Sequence, residues 1–91
     1  MLFEWDEDKR LSNLDKHGID FLDAAALFEE GRHVYSYPSP KNEEERWVTV
    51  GRVSGRLIAV VWTERRDAVR LISARSARDE EKRHYQALFG G

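Results

Sequence analysis

One change of period constrains this chain more than any other feature. Phe21, Ala24, Ala25 and Phe28 stand at i, i+3, i+4 and i+7, the spacing of a helix with one buried face. From His33 onward the period falls to two, and Leu57 to Trp62 is an unbroken apolar run, the pattern of a central β-strand. A helical half followed by a strand-rich half within 91 residues predicts a single α+β domain spanning 1–91. Its expected architecture is a small antiparallel sheet, with helices covering one face.

Local signals give the order of elements. Leu2-Phe3-Glu4-Trp5 reads as a short strand. Asp6-Glu7-Asp8 opens a helix and Lys16-His17 close it before Gly18, which places acids and cations at the ends the helix dipole favours. Asp20 caps a second helix that Gly31 stops. His33 to Tyr37 reads as a strand, ended by Pro38-Ser39-Pro40 and the polar loop Lys41 to Glu45. Arg46 to Val53 is the next strand, Ser54-Gly55 a hairpin turn, and Leu57 to Thr63 the central strand. Arg66-Asp67 turns the chain into a last strand, Val69 to Arg75. Arg78 to Phe89 is a closing helix with Tyr85, Leu88 and Phe89 on one side and Gly90 as its stop. The predicted order is β-α-α-β-β-β-β-α.

Composition removes whole classes of function. The chain has no cysteine, which excludes disulfide frameworks, CxxC redox sites and thiolate zinc sites, and favours a reducing compartment. No segment approaches the roughly 20 apolar residues of a membrane helix. The acidic start, MLFEWDEDKR, is unlike a secretory leader, so a soluble, cytoplasmic protein is expected. The three histidines, His17, His33 and His84, form no HxxxH pair. Asp6-Glu7-Asp8 and Glu43-Glu44-Glu45 are adjacent runs, not ligands converging from separate elements, so neither a metal nor another cofactor is expected. No GxxxxGK[ST] or GxGxxG loop supports nucleotide-fold chemistry.

Charge is unevenly distributed. Residues 1–45 hold 5 Lys+Arg against 12 Asp+Glu, whereas residues 46–91 hold 10 against 5. Between Arg46 and Arg78 all eight basic residues are arginine. The guanidinium fork pairs bidentately with phosphate, so this half reads either as a polyanion-binding surface or as a solvated sheet face covered by Arg stems. Arg70 interrupts the apolar Val69-Arg70-Leu71-Ile72, where it needs a partner, solvent or an anion. Strand alternation sends Arg70 and Arg75 to opposite faces unless a bulge intervenes. Thr63-Glu64-Arg65-Arg66-Asp67, at a strand end, either displays functional groups or closes surface ion pairs. Lys16-His17-Gly18 suits proton transfer beside a phosphate and equally suits a helix C-cap. Trp5, Trp47 and Trp62 either stack bases or fill the core.

Phe3-Glu4-Trp5-Asp6, Asn13, Lys16-His17-Gly18, Phe21, Ala24-Ala25 and Phe28 resemble the first half of a BrnT-type toxin. Arg46, Thr49, Gly51, Thr63-Glu64-Arg65, Arg70-Leu71-Ile72-Ser73-Ala74-Arg75 and Tyr85 resemble its second half, in order. The resemblance implies the toxin of a bacterial type II toxin–antitoxin pair, with a fold related to RelE-type ribonucleases. It implies RNA cleavage that arrests translation, and neutralisation by BrnA, a ribbon-helix-helix antitoxin. DNA is then contacted only through the antitoxin, in repression of the operon, and a homodimer or a heterotetramer with two antitoxins is implied.

On this reading cleavage is metal-independent, with the ribose 2′-OH attacking the adjacent phosphate. Arg65, Arg70 and Arg75 are expected to stabilise the developing charge. Lys16 or His17 is expected to move the proton, with Tyr85 as an alternative. Arg46, Thr63, Ser73 and Arg78 are the expected RNA contacts. The competing expectation is a non-catalytic module that holds a partner through its acidic half and the exposed Tyr35 and Tyr37, the arginines being structural.

Overall fold

The computed structural model describes residues 1–39 and 44–90. Local rules set most of the element ends. Helix α1 (Glu7–His17) starts where the Asp6 carboxylate accepts the Asp8 N–H at 2.9 Å. It ends at Gly18, whose φ of 70° closes the last turn onto the Leu14 carbonyl. Asp20 caps α2 (Phe21–Ala24) in the same way, and a 3-10 turn, Ala25–Phe28, continues it. Strands β1 (Leu2–Glu4), β2 (Val34–Ser39), β3 (Arg46–Val53), β4 (Arg56–Arg65) and β5 (Ala68–Ser76) are followed by α3 (Asp79–Phe89). Ser54 and Gly55 both take positive φ, 50° and 78°, as a tight hairpin between β3 and β4 requires.

The strands form one sheet in the order β1-β5-β4-β3-β2. Strands β2 to β5 meander antiparallel, and β1 lies parallel beside residues 68–70 of β5. This is the expected α+β class, with different strand ends. β2 begins at Val34, not His33, and runs on through Pro38, which faces Trp47. Because β2 is an edge strand, a residue without an N–H costs no ladder bond there. β4 and β5 extend past their predicted ends to Arg56–Arg65 and Ala68–Ser76. Pro40 of the predicted Pro38-Ser39-Pro40 break and residues 41–43 of the predicted loop Lys41 to Glu45 lie outside the described residues.

The helices cover both faces of the sheet, not one as the sequence suggested. On one side Ile19, Phe21, Ala24 and Leu27 pack against Ile58, Val60, Leu71 and Ala74. On the other, Tyr85 of α3 packs with Val48, Val50 and Ala59. The cause lies in β4, where Ile58, Ala59 and Val60 are consecutive and all fully buried. Neighbouring residues of a strand point to opposite sides, so an unbroken apolar run needs cover on both.

Two contacts set the layers in place. Asn13 of α1 is buried and bonds both polar groups of Ala74. Its Nδ2 donates to the Ala74 carbonyl at 2.8 Å and its Oδ1 accepts the Ala74 N–H at 3.1 Å. The amide thus takes the place of a neighbouring strand on β5 beyond the short β1. At Gly51 of β3 an added Cβ would come within 2.7 Å of Val34 and 2.8 Å of Leu27. Only glycine lets the 3-10 turn sit this close to the sheet.

Candidate active site

A bulge decides where the arginines point. Val61 pairs with Ser73 and Trp62 with Leu71, so Ile72 is an extra residue in β5. The slip reverses the alternation. Val69 and Leu71 before it, and Ala74 after it, all face the α1/α2 core. Arg70, Ser73 and Arg75 therefore all face the side carrying α3. Across the sheet Arg70 lies between Thr63 and Glu4, and Ser73 beside Val61. Arg46, two residues before Val48, faces the same side.

Between this face and α3 lies a charged network. Glu81, in the first turn of α3, is buried, with 6% of its surface exposed. Arg75 donates to its two oxygens at 2.7 and 3.0 Å, and the Arg78 N–H reaches it at 2.8 Å. Tyr37 donates its hydroxyl to the same carboxylate, and the Tyr35 hydroxyl donates to the Glu81 carbonyl at 3.0 Å. Burial alone pushes the Glu81 carboxyl up, but the bonds from Arg75, Arg78 and Tyr37 outweigh it and hold it down at about 2. Burial, then the Glu81 charge, raises the Tyr35 hydroxyl to about 12. Burial and the bond to Glu81 raise Tyr37 as well. Both tyrosines are therefore donors at neutral pH, and the charge of Arg75 is answered by Glu81.

The cations farther from α3 are less committed. Arg70 meets Glu4 at 2.7 Å, with their side chains 28% and 40% exposed, a pair that solvent weakens and a competing anion can open. The Arg46 Nε is buried without an acceptor among the described residues. Thr63 is buried and donates to the Glu45 carbonyl at 2.6 Å. Tyr35, Tyr37, Arg78, Glu81 and His84 line a cleft of about 400 Å³ at the edge of α3, where the His84 and Tyr35 rings lie 4.6 Å apart. Among the described residues, no group of three or more His, Cys, Asp or Glu is placed to hold a metal ion.

The family model of the ribonuclease toxin BrnT of type II toxin–antitoxin systems matches residues 5–81. The chain belongs to the BrnT toxin family. As a member it is a ribonuclease toxin of a type II system, with RNA as target and an antitoxin as partner. The matched span of this BrnT chain includes every arginine of the α3 face and ends at Glu81. No curated protein sequence matches it.

Of the site residues read from sequence, the fold gathers Arg46, Thr63, Arg70, Ser73 and Arg75 on one face of this BrnT domain. Arg65 stands at its rim, 4.0 Å from Glu44, both side chains substantially exposed. Arg78 is exposed at the N-cap of α3. Tyr85 is part of the core beneath α3, its ring 4.8 Å from Phe89 and 5.8 Å from the Arg52 guanidinium. Lys16 and His17 end α1, on the opposite side of the sheet, where the His17 carbonyl accepts from Arg56 at 3.3 Å. Tyr35 and Tyr37 are half-buried and bonded to α3, not exposed as the sequence suggested. Trp5 and Trp62 pack against the α1/α2 core, with Trp47 stacked on Trp62 at 6.5 Å. Glu81 and His84 are cleft residues that the sequence did not indicate, and Tyr37 was expected there only as a partner contact. The spacing of Tyr35 and Tyr37 by two, placing both on one face, was the available signal.

Proposed function

We propose that this toxin is a metal-independent endoribonuclease in which the ribose 2′-OH attacks the adjacent phosphate. The products are a 2′,3′-cyclic phosphate and a 5′-OH. The observation that carries the reading is the bulge at Ile72, which aligns Arg70 with Arg75 on the face that also carries Arg46. Arg46 and Arg70 stabilise the charge that develops on the phosphate, because the Arg46 Nε has no acceptor among the described residues and the Arg70 pair with Glu4 is open to solvent. Arg75, tied to Glu81, positions Tyr37 and the first turn of α3. His84 takes the proton-transfer role that the sequence suggested for Lys16 or His17, since it stands in the cleft with Tyr37 and Arg78. Ser73 and Arg78 contact RNA, Arg65 supplies charge at the rim, and the buried Thr63 supports the site through its bond to the Glu45 carbonyl. Cleavage arrests translation, and a BrnA-like ribbon-helix-helix antitoxin neutralises it.

The test is incubation of antitoxin-free protein with RNA in EDTA, followed by mapping of the product ends. Cyclic-phosphate ends are expected, with cleavage reduced on the order of 100-fold in Arg70→Ala at an unchanged thermal midpoint. Cleavage abolished by EDTA overturns the mechanism. A second reading, a non-catalytic module acting with the antitoxin in operon repression, draws support from the carboxylate partners of Arg70 and Arg75. It predicts intact RNA together with an undiminished antitoxin complex.

A further inference from the structure

At the hairpin end of the sheet a second cluster of cations has no role in that mechanism. Arg52 of β3, Arg56 of β4 and Lys82 of α3 converge on a cleft of about 400 Å³, completed by Leu57, Ser76 and Gln86. Among the described residues no carboxylate lines it. Arg56 spends its donors on neutral groups, the Ser76 hydroxyl at 2.6 Å and the His17 carbonyl at 3.3 Å. Arg52 leans its guanidinium over the Tyr85 ring and donates to the Gly55 carbonyl at 3.4 Å. Neither Arg56 nor Lys82 has an acidic partner among the described residues.

Elsewhere in this acidic chain Arg10, Arg32, Arg65, Arg70 and Arg75 each meet a carboxylate. Arg56 and Lys82, brought to one cleft from two elements, repel each other, and an anion between them relieves that repulsion. Resting on the reading of this toxin as an RNA-binding enzyme, we propose that the cleft is a separate site for a phosphodiester of the RNA backbone. Arg56 and Lys82 are its principal ligands, and the Gln86 amide and Ser76 hydroxyl border it. An acidic peptide fits less well, because among the described residues Leu57 is the only large apolar wall and peptide docking draws on apolar anchors. Arg56 and Thr63 lie toward opposite ends of β4, about 23 Å apart at ~3.3 Å per residue. A bound strand thus touches the protein at two places, and this one holds the chain without taking part in cleavage.

The experiment measures binding of an uncleavable 2′-O-methyl oligoribonucleotide by the full chain across a salt series. Lys82→Gln removes an exposed charge and no structural contact. It is expected to weaken binding about fivefold and to lower the salt slope by about 0.7, at an unchanged thermal midpoint. Arg56→Gln is expected to act in the same direction. Unchanged affinity and slope in both variants, with the wild-type chain binding normally, overturns the second site and leaves the ribonuclease reading standing. Failure of the wild-type chain to bind RNA at all overturns both. Variants that keep RNA affinity but lose the antitoxin assign the cleft to an acidic protein segment instead, which also overturns the proposal.

Discussion

The two faces of the sheet hold their helices by different physics. On the α1/α2 face Phe21, Leu27, Ile58 and Leu71 are essentially without solvent exposure, the helix-to-sheet polar contact is the neutral amide of Asn13 on Ala74, and the Arg10–Asp20 pair at 2.9 Å joins only the two helices. On the α3 face a smaller apolar patch around Tyr85 is supplemented by Glu81, Arg75, Tyr35 and Tyr37. An apolar seal gains its stability from area removed from water and does not depend on pH. A charged seal depends on every partner remaining in place. The second arrangement also leaves Arg46 and Arg70 beside it, the cations that the proposed cleavage uses.

Removing the apolar seal should have the largest effect. Phe21→Ala deletes a ring with no solvent exposure, and about 3–5 kcal/mol of stability should disappear in a urea titration. A loss near 1 kcal/mol would show that the α1/α2 face does not carry the fold.

The charged seal is tested by Glu81→Gln. It strands the Arg75 guanidinium, whose side chain is only 16% exposed, at an expected cost of about 3 kcal/mol. The same variant should change the pH response. Folding lowers the Glu81 carboxyl from 4.5 to about 2, so the unfolded chain binds the proton more readily in that interval. The Glu81 contribution is therefore complete above pH 4.5 and is lost as the pH falls toward 2. Denaturation at a series of pH values should show a steeper acid loss in the wild-type chain than in Glu81→Gln. Parallel curves would remove the charged network from the account of the α3 face.

The smallest effect belongs to neither face. Arg66 holds a φ of 57° as the first of two residues turning between the paired Arg65 and Ala68. Glycine adopts this conformation without strain, so Arg66→Gly should be neutral or stabilising by about 0.5 kcal/mol. A loss above about 1 kcal/mol would show that the turn is not independent of the two faces.

The limits of sequence reading follow the same division. The Asp6 and Asp20 caps, the Gly18 stop and the Ser54-Gly55 hairpin are short-range effects, and all appear where the residues indicate. The cover on both faces is legible in the unbroken run from Leu57 to Trp62, which leaves neither side of that strand polar. The bulge at Ile72 carried no local signal, and it alone brings Arg70 and Arg75 to one side. Lys16 and His17 satisfy a helix C-cap on the far side of the sheet, so their suitability for proton transfer did not translate into position.

By itself the sequence determined the order of elements, most of their caps and turns, and membership of the toxin family, because each depends on residue types at fixed short spacings. The tertiary structure alone decided which arginines meet a carboxylate among the described residues. Arg70 meets Glu4 across 66 positions of chain. Arg75 meets Glu81 only because β5 and α3 pack with the bulge in place. A one-residue slip of register turns side chains to the other face, and Coulomb energy depends on distance in space and on burial, neither of which a spacing along the chain encodes.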